Sequence, residues 1–300
     1  MNISFCLTVN SLPAFSVDEP PVWLLSFDFD GTLCDPDDSP PVSPRFFEMI
    51  QELRISQKAC WGINTGRSLM HTVEGIMDAK FPYLPDFLVV REREIYRPNR
   101  FSRWVGDKQW NKSCEVAHNK LFRRHRRLLA KIRKWVESKT AAVWGIQEGE
   151  PAGIVASTSS EMDFIVQYID THIASVREIC YQRNGIYLRF SHCDYHKGTA
   201  MQEVARQLGI GSEKIFAIGD SHNDTDMLNK DIAQSIACPG NACDEVKAHV
   251  INQGGYLAES HVSAGAVEAM NALFNMGEDS KNIWAENTGG GNRTRTPEGT

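Results

Sequence analysis

Residues 24–33 read LLSFDFDGTL, an apolar run that stops at two acids and a glycine. A run of this kind predicts a buried strand that enters a turn at Gly31. Asp28 and Asp30 are two residues apart, so their carboxylates leave the strand on the same side and repel each other. Because buried carboxylates are costly without a compensating charge, the stretch predicts a metal ion at the end of this strand.

The composition of the whole chain fits a globular protein with one large domain or two ordinary ones. Hydrophobic residues make up 42% of the 300 positions, and the formal net charge is −6. This balance favours neither nucleic acid nor a membrane as a partner. The eight cysteines form no CxxC pair, which favours reduced thiols. We therefore expect a cytoplasmic monomer or homodimer without a signal peptide.

Strand and helix patterns alternate in two separate parts of the chain, 21–100 and 191–275. This alternation predicts an α/β fold with a Rossmann-like core, a parallel sheet covered by helices. Residues 101–190 interrupt the core as an inserted α/β module. We expect residues 1–20 to form a flexible leader and residues 276–300 a disordered tail. The predicted strands are 22–28, 59–64, 87–90, 141–147, 152–156, 177–182, 186–190, 214–218 and 232–237, and the predicted helices are 44–57, 68–79, about 115–137, 160–175, 197–208, 223–229 and 263–274.

Four segments with chemically compatible side chains fall at predicted strand ends or helix starts. They are Asp28–Thr32, Thr65–Arg67, Lys197–Gly198 and Gly219–Asp224. In open parallel sheets, ligands bind outside the carboxyl ends of the strands, so these segments should meet there. The carboxylates are hard oxygen ligands, which favour Mg²⁺. A lysine beside them supplies a positive charge for a phosphoryl oxygen, so the set predicts phosphoryl transfer.

In this order, DFDGT at 28–32, Thr65, the pair Lys197–Gly198 and GDSHND at 219–224 resemble the motifs of haloacid dehalogenase-type phosphohydrolases. The resemblance covers about residues 22–275. Residues 101–190 are similar to the large α/β cap of that family, which implies a Rossmann-like core with an inserted cap that selects the substrate. The sucrose-phosphatase-like branch is the most similar, on the segments 85–96 and 263–269 together with Trp104 and Trp110.

The resemblance implies a role for each matched residue. Asp28 would attack phosphorus and form an aspartyl-phosphate, while Asp30 would protonate the leaving oxygen and then activate water. Thr65 and Lys197 would hold the phosphoryl oxygens. Mg²⁺ would be bound by Asp28, Asp30 (through its backbone carbonyl), Asp220 and Asp224. Support for the phosphate or the metal would come from Gly31, Thr32, Gly66, Arg67 and Asn223.

The expected activity is Mg²⁺-dependent hydrolysis of a small phosphorylated metabolite, a sugar phosphate. We expect Glu94, Arg183, Tyr187 and Arg189 to contact this substrate. Where the sucrose-phosphatase-like pattern usually has a glycine, this chain has Glu92. Because this position lies near the expected sugar, the resemblance does not identify sucrose phosphate itself as the substrate.

Two other functions remain open from the sequence. A sugar phosphomutase similar to the phosphomannomutases would return the phosphoryl group to a second hydroxyl. A non-catalytic module would dock an anionic partner on the basic stretch 120–134, although its apolar positions favour a solvated helix of the cap. We interpret the His and Cys residues of 192–196, and the pair Cys238 and Cys243, as incidental rather than as zinc sites.

Overall fold

A computed structural model describes residues 19–147 and 150–274 of the chain. The predicted tail 276–300 and all but the last two residues of the predicted leader 1–20 lie outside the described residues. The strands are β1 Trp23–Phe27, β2 Ala59–Asn64, β3 Phe87–Val90, β4 Glu94–Pro98, β5 Trp104–Gly106, β6 Val143–Gln147, β7 Glu150–Val155, β8 Ile179–Asn184, β9 Tyr187–His192, β10 Ile215–Ile218, β11 Ser235–Cys238 and β12 Tyr256–Leu257. The helices are α1 Pro44–Gln57, α2 Leu69–Asp78, α3 Lys108–Arg124, α4 Arg126–Lys139, α5 Ser159–Ile173, α6 Lys197–Leu208, α7 Asp244–Asn252 and α8 Val262–Phe274.

The larger sheet has the strand order β12-β11-β10-β1-β2-β3-β4-β5. Strands β12 to β3 in this order run parallel, and β4 and β5 add two antiparallel strands at one edge. Strand β1 lies between β10 and β2, with Phe27 opposite Ile218 and Ile63. The predicted α/β fold with a parallel core sheet is therefore confirmed, and β1 delivers its following residues to the middle of the sheet edge.

Helices cover both faces of this sheet because successive side chains of a buried strand point to opposite faces. Leu25 and Phe27 of β1 pack in the cluster that contains residues of α1 and α8. Leu24 packs in the opposite cluster with residues of α6 and α7. Burial of one such side chain contributes about 1.5–3 kcal/mol. This packing fixes the position of the carboxyl end of β1 and therefore of Asp28, which follows it.

The residues between β5 and α6 form a second, smaller unit with its own core. Its antiparallel sheet has the order β6-β7-β9-β8. Residues of α4 and α5 pack on this sheet, with Ile132, Ile165 and Phe190 at most 1% exposed. The hydrophobic positions of the basic stretch 120–134 thus enter the core of this unit, which explains its helical periodicity.

Several predicted boundaries need correction. Trp104–Gly106, predicted within the inserted module, forms β5 and pairs with β4 in the larger sheet. The predicted helix 223–229 is absent from the described residues; only a 3₁₀ turn, His222–Asp224, forms there. The Asp224 carboxylate accepts the backbone N–H groups of Asp220 and Ser221, and this local bonding competes with helix formation.

The expectation of reduced cysteines is wrong for one pair. Cys180 of β8 and Cys193, directly after β9, form a disulfide with a Cα–Cα distance of 5.0 Å. The bond joins β8 to the segment that leads to Lys197. Five other cysteines of the described residues form no disulfide with one another. Among the helices of the described residues, none is both long and apolar enough to cross a bilayer.

Candidate active site

The four predicted segments converge at the carboxyl ends of neighbouring strands. Asp28 follows β1, Thr65 follows β2 and the loop 219–224 follows β10. Lys197, the first residue of α6, reaches the same place, where the side-chain amide of Asn64 donates to its carbonyl over 3.0 Å. The parallel strand order thus brings distant parts of the chain into one site.

Lys197 is a charged group at the centre of the site without solvent exposure. Its Nζ donates to Oδ1 of Asp28 and to Oδ1 of Asp224, each over 2.6 Å. Although burial lowers it, the negative charges of Asp224 and Asp28 raise the pKa of Lys197 above its ordinary value. The ammonium therefore stays charged and fixes one oxygen of Asp28.

Asp28, Asp220 and Asp224 each place a carboxylate oxygen within 4.8 Å of the other two. Burial raises the pKa of Asp28 well above its usual range, and the charge of Asp224 adds to the rise. Burial and then Asp224 also raise the pKa of Asp220, to about 7. One lysine does not balance three carboxylates, so the cluster fits a divalent cation. Its all-oxygen donors match Mg²⁺.

Gly31 and Thr32 support Asp220 from the loop after β1. The Thr32 hydroxyl donates to Oδ1 of Asp220 over 2.7 Å. Gly31 has φ 74°, and an added Cβ would lie 2.5 Å from Oδ2 of Asp220. Only glycine combines this left-handed conformation with such a close approach. The DFDGT stretch therefore positions a carboxylate that comes from the opposite half of the chain.

Asp30 lies outside the carboxylate cluster and pairs with Arg67 instead. The Arg67 guanidinium donates to both carboxylate oxygens, with 2.8 Å between Nε and Oδ2. Thr65, 1% exposed, accepts the backbone N–H of Arg67 on its Oγ1 over 3.1 Å. The two acids of the opening stretch thus have different surroundings: Asp28 faces a lysine and acids, whereas Asp30 faces an arginine.

A cavity of about 480 Å³ opens above these groups, a volume within the range of small-molecule sites. Tyr187 and Arg189 of β9 line it on the side of the smaller unit, and the Arg189 guanidinium donates to the carbonyl of Gly66 over 3.1 Å. The lining consists of Asp28, Asp30, Thr65, Gly66, Arg67, Ser68, His71, Arg91, Glu92, Asn184, Tyr187, Arg189 and Asn223. A neighbouring cavity of about 70 Å³ shares four of these residues.

Two residues predicted to contact the substrate do not line this cavity. Arg183 pairs with Asp163 of α5, with 2.6 Å between NH1 and Oδ1. Glu94 pairs with Arg91 and accepts the Tyr96 hydroxyl. Neither side chain therefore lies at this cavity. Alternation along a strand does not reveal which face turns toward the cavity, and their contact with the substrate stays a prediction.

Sequence reasoning missed the role of the turn after β3. Arg91 and Glu92 both have positive φ, 49° and 65°, without being glycines. The Glu92 side chain is buried, and its Oε1 accepts the Asn223 amide over 2.8 Å. The second oxygens, Glu92 Oε2 and Asn223 Oδ1, have no hydrogen-bond partner among the described residues. The sequence offers one signal for this turn, which is Glu92 at a position where the sucrose-phosphatase-like pattern usually has a glycine.

The haloacid dehalogenase-like hydrolase family matches residues 71–262, well over half of the chain. The chain belongs to this family. A curated relative, the phosphoglycolate phosphatase of Methanoculleus marisnigri, is 31% identical over 78 residues, which is 26% of this chain and 31% of the relative. The match thus spans about a third of that protein.

Several solved structures share the fold over most of this chain. The sucrose phosphatase of Synechocystis sp. PCC6803, solved with sucrose and phosphate, gives a TM-score of 0.63 at 19% identity over 85% of this chain and 98% of that one. A subclass IIB sugar phosphatase gives 0.55 at 16% identity over 85% and 100%. At these identities the matches establish the arrangement of core and cap, so function has to be argued from the site.

Proposed function

We propose that this protein is a Mg²⁺-dependent phosphomonoesterase that hydrolyses a small sugar phosphate through an aspartyl-phosphate on Asp28. The observation that carries the proposal is the Asp28 carboxylate, held by Lys197 over 2.6 Å at the wall of the 480 Å³ cavity. One oxygen is fixed by the lysine, and the other is available to a phosphorus atom. The family membership and the phosphatases with the same fold support this reaction class.

In the first step, an oxygen of Asp28 attacks phosphorus, and the bond from phosphorus to the sugar oxygen breaks. Asp30 supplies the proton that the leaving oxygen takes up. The phosphate brings negative charge to Arg67, which lines the same cavity and now pairs with Asp30. Competition for this guanidinium would release the Asp30 carboxyl for proton transfer.

In the second step, water attacks the phosphorus of the aspartyl-phosphate, and the Asp30 carboxylate takes the proton of that water. Inorganic phosphate leaves and Asp28 is regenerated. Thr65 and Lys197 would hold phosphoryl oxygens. Asp28, Asp220, Asp224 and the Asp30 carbonyl would hold Mg²⁺, which supplies positive charge against the phosphoryl oxygens when bound.

The sugar class is supported by two polar residues of the cavity wall, Glu92 and Asn223. Glu92 Oε2 and Asn223 Oδ1 are buried acceptors without partners in the part of the chain that the structure describes, and both residues line the cavity. A buried acceptor is costly when it is left unpaired. Sugar hydroxyl groups are donors that would satisfy both atoms, with Tyr187 and Arg189 adding contacts from the cap.

The test measures phosphate release from a panel of sugar phosphates, nucleotides and other phosphomonoesters, with Mg²⁺ and with a chelator. Asp28→Asn should lower turnover by about 10³-fold or more, because a neutral amide is a poor nucleophile and a weak metal ligand. Asp38→Asn, on an exposed loop, is the matched control and should behave as the wild type. Turnover by a folded Asp28→Asn variant at the wild-type rate would refute the proposal.

A further inference from the structure

A second group of metal-ligating side chains lies beside the carboxylate cluster. One ring nitrogen of His222, the thiol of Cys243 and a carboxylate oxygen of Glu245 lie within 4.8 Å of one another. Nδ1 of His222 is 3.9 Å from Sγ of Cys243, and its Nε2 is 3.8 Å from the Glu245 carboxylate. Cys243 is half-buried and Glu245 is exposed, so an ion can reach the group from solvent.

We propose that His222, Cys243 and Glu245 bind a thiophilic divalent cation, Zn²⁺, and that this binding inhibits the enzyme. The binding half stands by itself, whereas the inhibition half rests on the proposed phosphatase function. The pair Cys238 and Cys243 is not this site, because Cys238 lies fully buried in β11. The residue that the fold brings to Cys243 is His222.

The donor set separates this site from the carboxylate cluster. Thiolate and imidazole ligands suit Zn²⁺, whereas the oxygen ligands of Asp28, Asp220 and Asp224 suit Mg²⁺. Sulfur and nitrogen ligands on a tetrahedral zinc ion are about 3.5 Å apart, given bonds of about 2.3 and 2.0 Å. The observed 3.9 Å needs only a small closure. Three protein ligands leave a fourth position for water, which fits an exchangeable ion.

The site is joined to the catalytic residues at both of its ends. His222 comes two residues after Asp220 and begins the 3₁₀ turn that carries Asn223 and Asp224. The backbone N–H of Cys243 donates to the Asp220 carbonyl over 3.0 Å. Closure of the ligands around an ion pulls on this turn, and a displacement of about 1 Å in a catalytic group can cost about 10²-fold in rate. Inhibition is therefore the expected effect.

Binding is tested with Co²⁺ added to metal-stripped protein in excess Mg²⁺, which occupies the oxygen ligands. A thiolate ligand gives Co²⁺ a charge-transfer absorption band that carboxylates do not. We expect this band at one equivalent of Co²⁺ and its loss when Zn²⁺ is added. Cys243→Ser, which keeps a good N-cap for α7, should abolish the band, and Glu245→Gln should weaken it. Asp244→Asn removes the same charge one residue away and should leave it unchanged.

Inhibition is tested by adding Zn²⁺ to the phosphatase assay in saturating Mg²⁺. The Zn²⁺ concentration for half inhibition should rise at least tenfold in Cys243→Ser, whose activity without Zn²⁺ equals that of the wild type. Equal inhibition of both proteins would place Zn²⁺ on the catalytic carboxylates and overturn the inhibitory role. Absence of the cobalt band, or its persistence in Cys243→Ser, would overturn the site itself. The spectroscopic result holds even if no substrate is turned over, so the two proposals fail separately.

Discussion

Lys197 and Asp224 form an ion pair in which both side chains are fully buried, with 2.6 Å between Nζ and Oδ1. The same ammonium pairs with Asp28, so one lysine links the proposed nucleophile to the loop after β10. Both oxygens of Asp224 are used, because Oδ2 accepts the N–H groups of Asp220 and Ser221. Asp224 thus fixes Lys197 and the loop through both of its oxygens, in addition to its place beside Asp28 and Asp220 in the carboxylate cluster.

Lys197→Met should destabilise the fold and abolish turnover. Removal of one partner from a buried ion pair leaves uncompensated charge, which costs about 3–5 kcal/mol in the free energy of unfolding. Urea unfolding in the presence of chelator measures this loss. Lys112→Met removes an exposed lysine that pairs with Glu115 and should cost less than about 1 kcal/mol. Equal unfolding midpoints for the two variants would contradict the structural role of Lys197.

The effect of Asp30→Asn on the rate of the first step should depend on whether the leaving group needs a proton. A sugar alkoxide needs a proton as it leaves, so loss of the acid should slow the first step by about 10²–10⁴-fold. Nitrophenolate leaves without a proton, so p-nitrophenyl phosphate should still give a burst of nitrophenolate in a single turnover. Rapid-mixing measurements on both substrates decide this point. A similar loss for both leaving groups would assign Asp30 a role other than the acid.

Gly31→Ala should weaken Mg²⁺ binding because the new methyl group meets the Asp220 carboxylate. We expect the Mg²⁺ concentration for half-maximal activity to rise by about tenfold or more, a loss of about 1.4 kcal/mol in metal binding. Gly209→Ala is the matched control, with a φ of 70° but no neighbouring atom of the described residues within 4 Å of the added Cβ. Both variants carry similar backbone strain. An equal shift in Mg²⁺ dependence would show that strain, rather than the contact, is responsible.

The core of the fold was predictable because local signals there agree with the global structure. Helices 44–57 and 197–208 and strand 59–64 were predicted with the bounds that the structure gives. Pro44 at a helix start, Gly209 at a helix end and apolar runs in buried strands are signals that act within a few residues. The four motifs also met as expected, because the strand order dictates where parallel strands end.

The missed features depend on contacts between distant residues. Strand β5 exists because Trp104–Gly106 pairs with β4, and three residues carry no periodic pattern of their own. The disulfide requires that β8 and the end of β9 lie side by side. Glu92 reaches the site because Arg91 and Glu92 both adopt positive φ angles, a conformation that is usually predicted only at glycine. Side-chain direction in the cap strands likewise followed from tertiary packing, as Arg183 illustrates.

His118 of α3 provides a test of acid stability in the cap. It is buried, its Nδ1 faces the Cys114 carbonyl at 2.9 Å, and its Nε2 accepts the N–H of His192 over 3.2 Å. This bonding requires a neutral ring with the proton on Nδ1, and a second proton on Nε2 would oppose the His192 N–H. Burial, and then the charge of Arg93, lowers the pKa of His118 to about 4.

The sign of the pH effect follows from this shift. Below its ordinary pKa of about 6.5, the His118 side chain takes up a proton in the unfolded chain, whereas in the folded chain it stays neutral down to about pH 4. The free energy of unfolding should therefore decrease as the pH is lowered through this window, by about 1.4 kcal/mol per pH unit from this group. Urea unfolding at about pH 7 and about pH 5 should show a smaller loss for His118→Gln than for the wild type. His172→Gln, a control on α5, should lose as much unfolding free energy between these two pH values as the wild type. An equal loss in His118→Gln would mean that His118 takes up its proton in the folded protein as easily as in the unfolded chain.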